Sequence, residues 1–377
     1  MKNRLARIRI RGLRTIYDSG DFSLGDITVL IGPNGAGKSS FVSFFRMLSW
    51  MLSSEKLGEY VQLYGPASNM LSDGQDVTRD LSGEVQIETE SGTNEYGFRL
   101  TYAAGDRFVF TEERWRFTRS GIPQVPEWRD GGVGHVESRL LAAAEGGDSA
   151  ARVIRNLLQR NIVYQFHNTS ATARIRGQWN TSDNRHLKED AANLAPVLLR
   201  LREERPEYYH RIVATIRRVL PFFSDFEFDV QSVRQLLRWS EHFTDRIFDA
   251  SQAADGMLRV LALCTLLLLP QDELPNTIIL DEPELGLHPS AIAILGGLIR
   301  SIGTMVQVII ATQSPALVDC FEPGSIVVVD RHLRPREPGR QGRKTNFQRL
   351  DTANLDEWLQ EYSLSELWEK NVLGGRP

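Results

Sequence analysis

Residues 4–11 alternate charged side chains with Leu5, Ala6, Ile8 and Ile10, the period-two pattern of a half-buried strand. After Phe22 and Leu24, residues 27–31 form a continuous apolar run, as a central strand covered on both faces requires. A Gly-rich turn and an apolar helix over 40–52 follow. Runs at 85–90 and 96–102 predict strands flanking a turn at 92–94, and 107–118 predicts another strand. From 121 to 147 Gly and Pro accumulate, which predicts loop. Residues 152–161 predict a helix, and 164–187 are polar and irregular.

Further on, helices are predicted over 191–204 and 207–220, the second opened by Pro206. Strands are predicted over 226–230 and 236–240. The rest is strongly α/β: helix 256–269, strand 277–280, helix 289–302, strand 306–311, helix 315–320, then strand 325–329 running into an Arg-rich loop. Leu355, Trp358, Leu359 and Tyr362 mark a helix by their spacing. Ser363 and Glu366 form a capping box that opens a last helix. There is no internal repeat and no heptad run.

The chain has 377 residues, 41% hydrophobic and 24% charged, enough for one large domain or a core with an inserted lobe. The net charge of −4 supplies no global field that would draw nucleic acid. Arg outnumbers Lys 38 to 6, a skew that genome composition explains more simply than phosphate recognition. Cys264 and Cys320 lie in apolar contexts without a C-x-x-C, which excludes a disulfide framework or zinc site and fits a reducing compartment. The N-terminus has no apolar signal core, and the most hydrophobic run, 260–269, is about half the ~20 residues a membrane span needs. The expectation is a soluble cytoplasmic protein with no membrane partner.

Residues 32–39 read Gly-Pro-Asn-Gly-Ala-Gly-Lys-Ser and match G-x-x-x-x-G-K-[ST] between a strand and a helix. The glycines let backbone N–H groups close around phosphates, and the helix adds its positive end. Asn34, Gly35, Ala36, Gly37, Lys38, Ser39 and Ser40 are the expected nucleotide contacts. Within them, Lys38 should reach the β- and γ-phosphates of ATP and Ser39 should ligate Mg²⁺. Residues 277–283 form an apolar strand that ends in Asp281 and Glu282. Asp281 sits where a carboxylate holds Mg²⁺, and Glu282 is placed to polarise an attacking water. After the next strand, Gln313 in Thr312-Gln-Ser-Pro315 stands where a polar side chain would lie beside the γ-phosphate. A strand end followed by a Ser-Pro helix start is an equal reading. Lys38 and Asp281 are far apart in sequence, so the segment over about 92–230 is expected to be a lobe inserted into a core made of 1–91 and 231–377.

With these motifs, the 253–259 segment Ala-Ala-Asp-Gly-Met-Leu-Arg and the 279–289 segment through Asp-Glu-Pro-Glu, the chain resembles bacterial predicted ATPases of the AAA/ABC-like class. That class includes the ATPase halves of OLD-type anti-phage systems and is allied to RecF and SMC heads. The resemblance covers about 1–46 and 248–377. It implies an α/β ABC-type P-loop ATPase head with an inserted α+β lobe, in which two heads sandwich two ATPs and each P-loop faces the partner's signature segment. It places Asp255 and Gly256 in that signature loop. Ala254 stands where the class usually has a serine, Gln313 where a His is frequent, and Pro289 where transporter heads have an acid. The first two departures bear on turnover more than on binding.

His288, before a helix-opening Pro, reads better as a cap than as a contact to a partner's nucleotide. Arg331, Arg334, Arg336, Arg340, Arg343, Lys344 and Arg349 form a basic hairpin or loop opposed only by Glu337, suited to nucleic acid or to plain solvation. Trp115, Trp128 and Trp179 show no basic-aromatic rhythm. No His/Cys/carboxylate pattern suggests a nuclease metal in this chain. The leading reading is an ATPase homodimer that switches an effector such as a nuclease encoded nearby, in anti-phage defence. The alternative is a RecF/SMC-like DNA-repair or DNA-maintenance ATPase, and a transporter head ranks last.

Overall fold

Along the apolar strands, alternate residues enter different cores. Val29, Ile31, Ile278, Leu280, Val308 and Ile310 face one cluster, and Leu30, Ile279, Ile309 and Ala311 face the other. The structure, a computed structural model, describes residues 3–53, 56–123, 126–335, 341–352, 355 and 357–375, with side chains undescribed at 333–335 and 341–344. Its central sheet has six strands, in the order Gln341–Arg349, Ile326–Pro335, Ile27–Ile31, Gln307–Ala311, Thr277–Asp281, Asn161–Tyr164. All neighbours are parallel except the first two, which form an antiparallel hairpin. Such a sheet needs cover on both faces, which is why its inner strands read as unbroken apolar runs.

Helices Asp255–Leu267, Pro289–Gly303, Leu194–Glu204 and Pro206–Val219 cover one face. On the other lies helix Lys38–Met51, held against a second, antiparallel sheet. That sheet runs Ile16–Asp18, Arg4–Leu13, Asp80–Thr89, Gly92–Ala103, Arg107–Arg119, Arg129–Asp130, with Phe22–Ser23 also on Arg4–Leu13. Phe41, Phe44, Phe45 and Leu48 of the helix meet Ile8, Ile10, Val85 and Phe98 of the sheet, so the helix is apolar nearly all round. No helix among the described residues is long and apolar enough to cross a membrane.

Several expectations change. Residues 92–230 are not one separate lobe. Gly92–Ala103 and Arg107–Arg119 continue the sheet of Arg4–Leu13, and Asn161–Tyr164 joins the central sheet. The stretch after Tyr164 adds the two helices on one face of the central sheet and the small sheet Phe223–Phe226, Arg238–Glu241, Thr244–Asp249, and it shares the core of that face. The turn expected at 92–94 falls two residues earlier, because Thr89 pairs with Gly92. The Gly- and Pro-rich stretch contains helix Leu140–Glu145. The Arg-rich loop is the hairpin of Ile326–Pro335 and Gln341–Arg349, with Arg336, Glu337 and Arg340 outside the described residues. Of the helix expected from Leu355 to Tyr362, the described residues form a 3₁₀ turn at Trp358–Gln360, and Asp356 lies outside them. The capping box at Ser363 and Glu366 forms and opens helix Leu364–Glu369.

Candidate functional site

Strand Ile27–Ile31 delivers the chain into the Gly-rich loop, and helix Lys38–Met51 leaves it with Gly37 as its first flanking residue. Gly32 has φ 148°, and a Cβ there would stand 2.1 Å from the Val329 carbonyl oxygen. A Cβ on Gly37 would meet the Thr345 methyl at 2.8 Å. The hairpin strand Gln341–Arg349 therefore backs the loop, and Thr345 Oγ1 donates to Thr15 C=O at 2.8 Å. Asn34, Gly35 and Ser39 are exposed and Ala36 is buried. The hydroxyl of Ser40 is taken up by Thr15 Oγ1 at 2.7 Å.

Lys38 is buried and donates from Nζ to the carbonyls of Gly32 (2.5 Å) and Pro33 (3.2 Å). Burial holds its ammonium below the usual lysine range, against the pull of Glu282, Asp281 and Glu284. No carboxylate among the described residues reaches ion-pair distance of it. A buried cation held only by its own loop's carbonyls is suited to a phosphate.

The acids come from the end of Thr277–Asp281. Asp281 is buried, and desolvation raises its carboxyl above the usual range while a hydrogen bond from Gln165 opposes the shift. Gln165 Nε2 donates to Asp281 Oδ2 at 2.5 Å, and His167 Nε2 contacts the Asp281 carbonyl at 2.7 Å. Gln165 follows the edge strand Asn161–Tyr164, so adjacent parallel strands bring the two side chains together. Sequence reasoning missed Gln165 because the preceding strand is too short to show a period. An apolar triplet, Ile162 to Tyr164, ending in a polar amide was the available signal.

Glu282 has φ 43°, a left-handed conformation uncommon outside glycine. Its N–H donates to the Ala311 carbonyl at 2.8 Å, which ties the turn to the neighbouring strand. Gln313 Nε2 donates to Glu282 Oε1 at 2.5 Å. Glu284 supports this arrangement from below, since its Oε1 accepts from Thr312 Oγ1 (2.5 Å) and Gln313 N–H (3.3 Å). Its Oε2 is buried without a partner, and desolvation raises this carboxyl too. Ser314 caps helix Pro315–Val318 and His288 caps Pro289–Gly303.

The donor set is chemically suited to Mg²⁺. The Asp281 carboxylate and the exposed Ser39 hydroxyl are hard oxygen ligands, and this ion characteristically takes one or two carboxylates plus phosphate oxygens.

Asp255 and Gly256 open helix Asp255–Leu267, where their contacts are with Arg176 and Gly286. Asp255 is exposed and paired with Arg176 at 3.1 Å, and a Cβ on Gly256 would lie 2.7 Å from the Gly286 carbonyl oxygen. Arg176 also donates to the carbonyls of Ala250 and Ala253. From the same helix, buried Arg259 donates to the carbonyls of Phe166, His167 and Leu285. It thereby joins this helix to the segments beyond Gln165 and Glu284.

Solved structures share this fold. An SMC head bound to the C-winged helix domain of ScpA aligns over 93% of this chain and 99% of its own, with TM-score 0.57 and 12% identity. An SMC head with an extended coiled coil, bound to the C-terminal domain of ScpA and derived from Pyrococcus furiosus, aligns over 95% and 99%, with TM-score 0.56 and 12% identity. Among curated proteins no relative matches. The fold defines the class, an α/β ABC-type P-loop ATPase head. The chain belongs to the family described as "AAA domain, putative AbiEii toxin, Type IV TA system", whose profile matches residues 27–319.

Proposed function

We propose that this chain binds ATP with Mg²⁺ and hydrolyses it in the cytoplasm, and that ATP-driven pairing of two copies switches an effector such as a nuclease in anti-phage defence. The observation that carries the hydrolytic reading is the Glu282–Gln313 bond, held at the ends of adjacent strands beside Asp281. Bound Mg²⁺ would neutralise charge on the transferring phosphoryl group. Lys38 exchanges its loop carbonyls for phosphate oxygens, while Asn34 to Gly37 and Ser40 present backbone N–H groups. Ser39 and Asp281 are the metal's protein ligands, with Gln165 orienting Asp281. Glu282 accepts a proton from the attacking water and Gln313 fixes its carboxylate.

Two variants test this. Lys38→Ala should lose ATP binding by calorimetry, and wild-type affinity there would remove the P-loop assignment. Glu282→Gln should keep binding but turn over ~10²–10⁴-fold more slowly, the usual cost of losing a general base. Unchanged turnover would transfer that role elsewhere.

The family's description names a type IV toxin–antitoxin system, which supports the first reading, a chain that acts together with a partner protein. Likeness to SMC heads that bind ScpA supports the second reading, a DNA-maintenance ATPase. ATP turnover stimulated by DNA alone favours the second, and stimulation only by a co-purified protein favours the first.

A further inference from the structure

Strand Asn161–Tyr164 lies at the end of the central sheet and, among the described residues, pairs only with Thr277–Asp281. Asn276 N–H donates to the Arg160 carbonyl at 3.1 Å, so Arg160, Ile162 and Tyr164 carry the ladder inward. Gln165, in the opposite phase, donates its N–H outward to the Glu189 carbonyl at 3.0 Å. That alternation leaves the N–H and C=O groups of Asn161 and Val163 on the outer edge, with no partner among the described residues. They line a cavity of about 650 Å³ between the second half of helix Lys38–Met51 and the 182–190 loop. Asn161 is itself buried, and its Nδ2 has no partner.

The cavity's charges are mixed. Arg174 pairs with Asp190 at 3.0 Å and Lys188 with Asp183 at 3.1 Å. Arg46, Arg185 and Glu189 also line it; among the described residues neither arginine has a carboxylate at ion-pair distance, and the Arg46 guanidinium lies 5.2 Å from the centre of the Tyr64 ring. The Nε of Arg46 is buried without a partner. Walls of both signs do not suit a polyanion. An unpaired strand edge beside two guanidiniums that lack a carboxylate partner suits an extended peptide with an acidic side chain.

We propose that this edge docks an extended acidic segment of a partner protein, which adds as a strand beside Asn161–Tyr164 and is sensed at the nucleotide site through Arg46. Arg46 Nη2 donates to Gln165 Oε1 at 2.6 Å, and Gln165 Nε2 donates on to Asp281 at 2.5 Å. A carboxylate in the cavity competes for Arg46 and frees Gln165 to turn from Asp281. Arg46 is thus a positioning residue. The sensing half rests on Asp281 as a magnesium ligand, and the docking half does not.

The probe is a synthetic eight-residue peptide of alternating valine and threonine with a central glutamate, added at millimolar concentration to the full chain. Hydrogen exchange at the Val163 amide should slow at least ~tenfold, as for an amide newly paired in a strand. A lysine-centred peptide should give less protection, and so should Arg185→Glu, a change at an exposed position outside the nucleotide site. With the glutamate peptide bound, the Mg²⁺ concentration for half-maximal ATP turnover should shift, and Arg46→Gln should abolish that shift while leaving Val163 protected. No protection at Val163, or equal displacement of the peptide by inorganic phosphate, would overturn the docking site. Protection without a magnesium shift in a protein that hydrolyses ATP would overturn the sensing route. A protein without turnover that still protects Val163 upholds docking and removes only the ATPase reading.

Discussion

Glu284 shows what a single buried carboxyl contributes beside the proposed catalytic pair Glu282 and Gln313. It accepts from Thr312 and Gln313 on one oxygen, leaves the other unpartnered, and is driven by desolvation above the usual carboxyl range. The sign of its linkage follows. Below the ordinary glutamate range the group is neutral in both folded and unfolded chains. As pH rises, the unfolded chain ionises first, so folding loses stability until the folded group ionises as well. Glu284→Gln removes that loss while keeping an acceptor for Thr312 and Gln313. Thermal melting from pH 4 to pH 7 should therefore fall less steeply with pH in the variant than in the wild type. Asp281, shifted the same way, leaves some slope in both. Equal slopes would mean that Glu284 ionises normally in the fold. Glu282 is a different case, since its left-handed backbone costs on the order of 1–3 kcal/mol and is held by the bond to Ala311.

At the scale of elements, Arg259 ties three segments together through buried carbonyls. Arg259→Met keeps the apolar stem but orphans the acceptors of Phe166, His167 and Leu285, each worth ~1–3 kcal/mol when left unpaired. A loss of at least ~2 kcal/mol by denaturant unfolding is expected, and a change within error would make the clamp redundant. Elements with strong local codes were legible from sequence: the strands at 27–31, 277–281 and 307–311, the helix after the Gly-rich loop, and the capping box at Ser363. The elements missed had weak codes. Asn161–Tyr164 is four residues long, and Thr244–Asp249 is mostly exposed and polar, so neither carries a clear period. Leu355, Trp358, Leu359 and Tyr362 have helical spacing, but the described residues there form a 3₁₀ turn, as spacing alone does not supply the packing that stabilises a short helix. At the site, the residues of contiguous motifs could be named as candidates from the sequence. Gln165, Arg176 and Arg259 were not, because tertiary pairing across distant segments gives them their contacts. The boundary of the lobe failed for the same reason, since strand pairing at Gly92 and Asn161 is not written in local composition.

For the whole molecule, the proposed ATP-driven pairing requires two heads to meet at the nucleotide. The P-loop contributes N–H groups from one side of a nucleotide, and the other N-terminal helix end singled out in the sequence, at Asp255–Gly256, is occupied with Arg176 and Gly286 of its own chain. A second copy related by a two-fold axis would supply that end to the first copy's nucleotide and receive the same in return. Gly256→Asp is a poor probe of this arrangement, because any side chain there collides with the Gly286 carbonyl and perturbs the fold itself. Ala254 is the better position. It is exposed, precedes the helix and caps it with no side-chain bond. Ala254→Glu would aim a carboxylate at the partner's phosphates without an internal clash, and like charges facing across an interface disfavour association. In light scattering with Mg-ATP, Glu282→Gln should shift from monomer toward dimer. The double variant Ala254→Glu, Glu282→Gln should stay monomeric while binding ATP with unchanged affinity. Ala254→Ser in the Glu282→Gln background should strengthen the dimer by restoring a hydroxyl donor to a phosphate, a bond worth about 1.5–3 kcal/mol when charge-assisted. If the double variant dimerises as readily as Glu282→Gln alone, the signature segment does not face the partner's nucleotide, and the site must be closed by another surface of the chain or by a different protein.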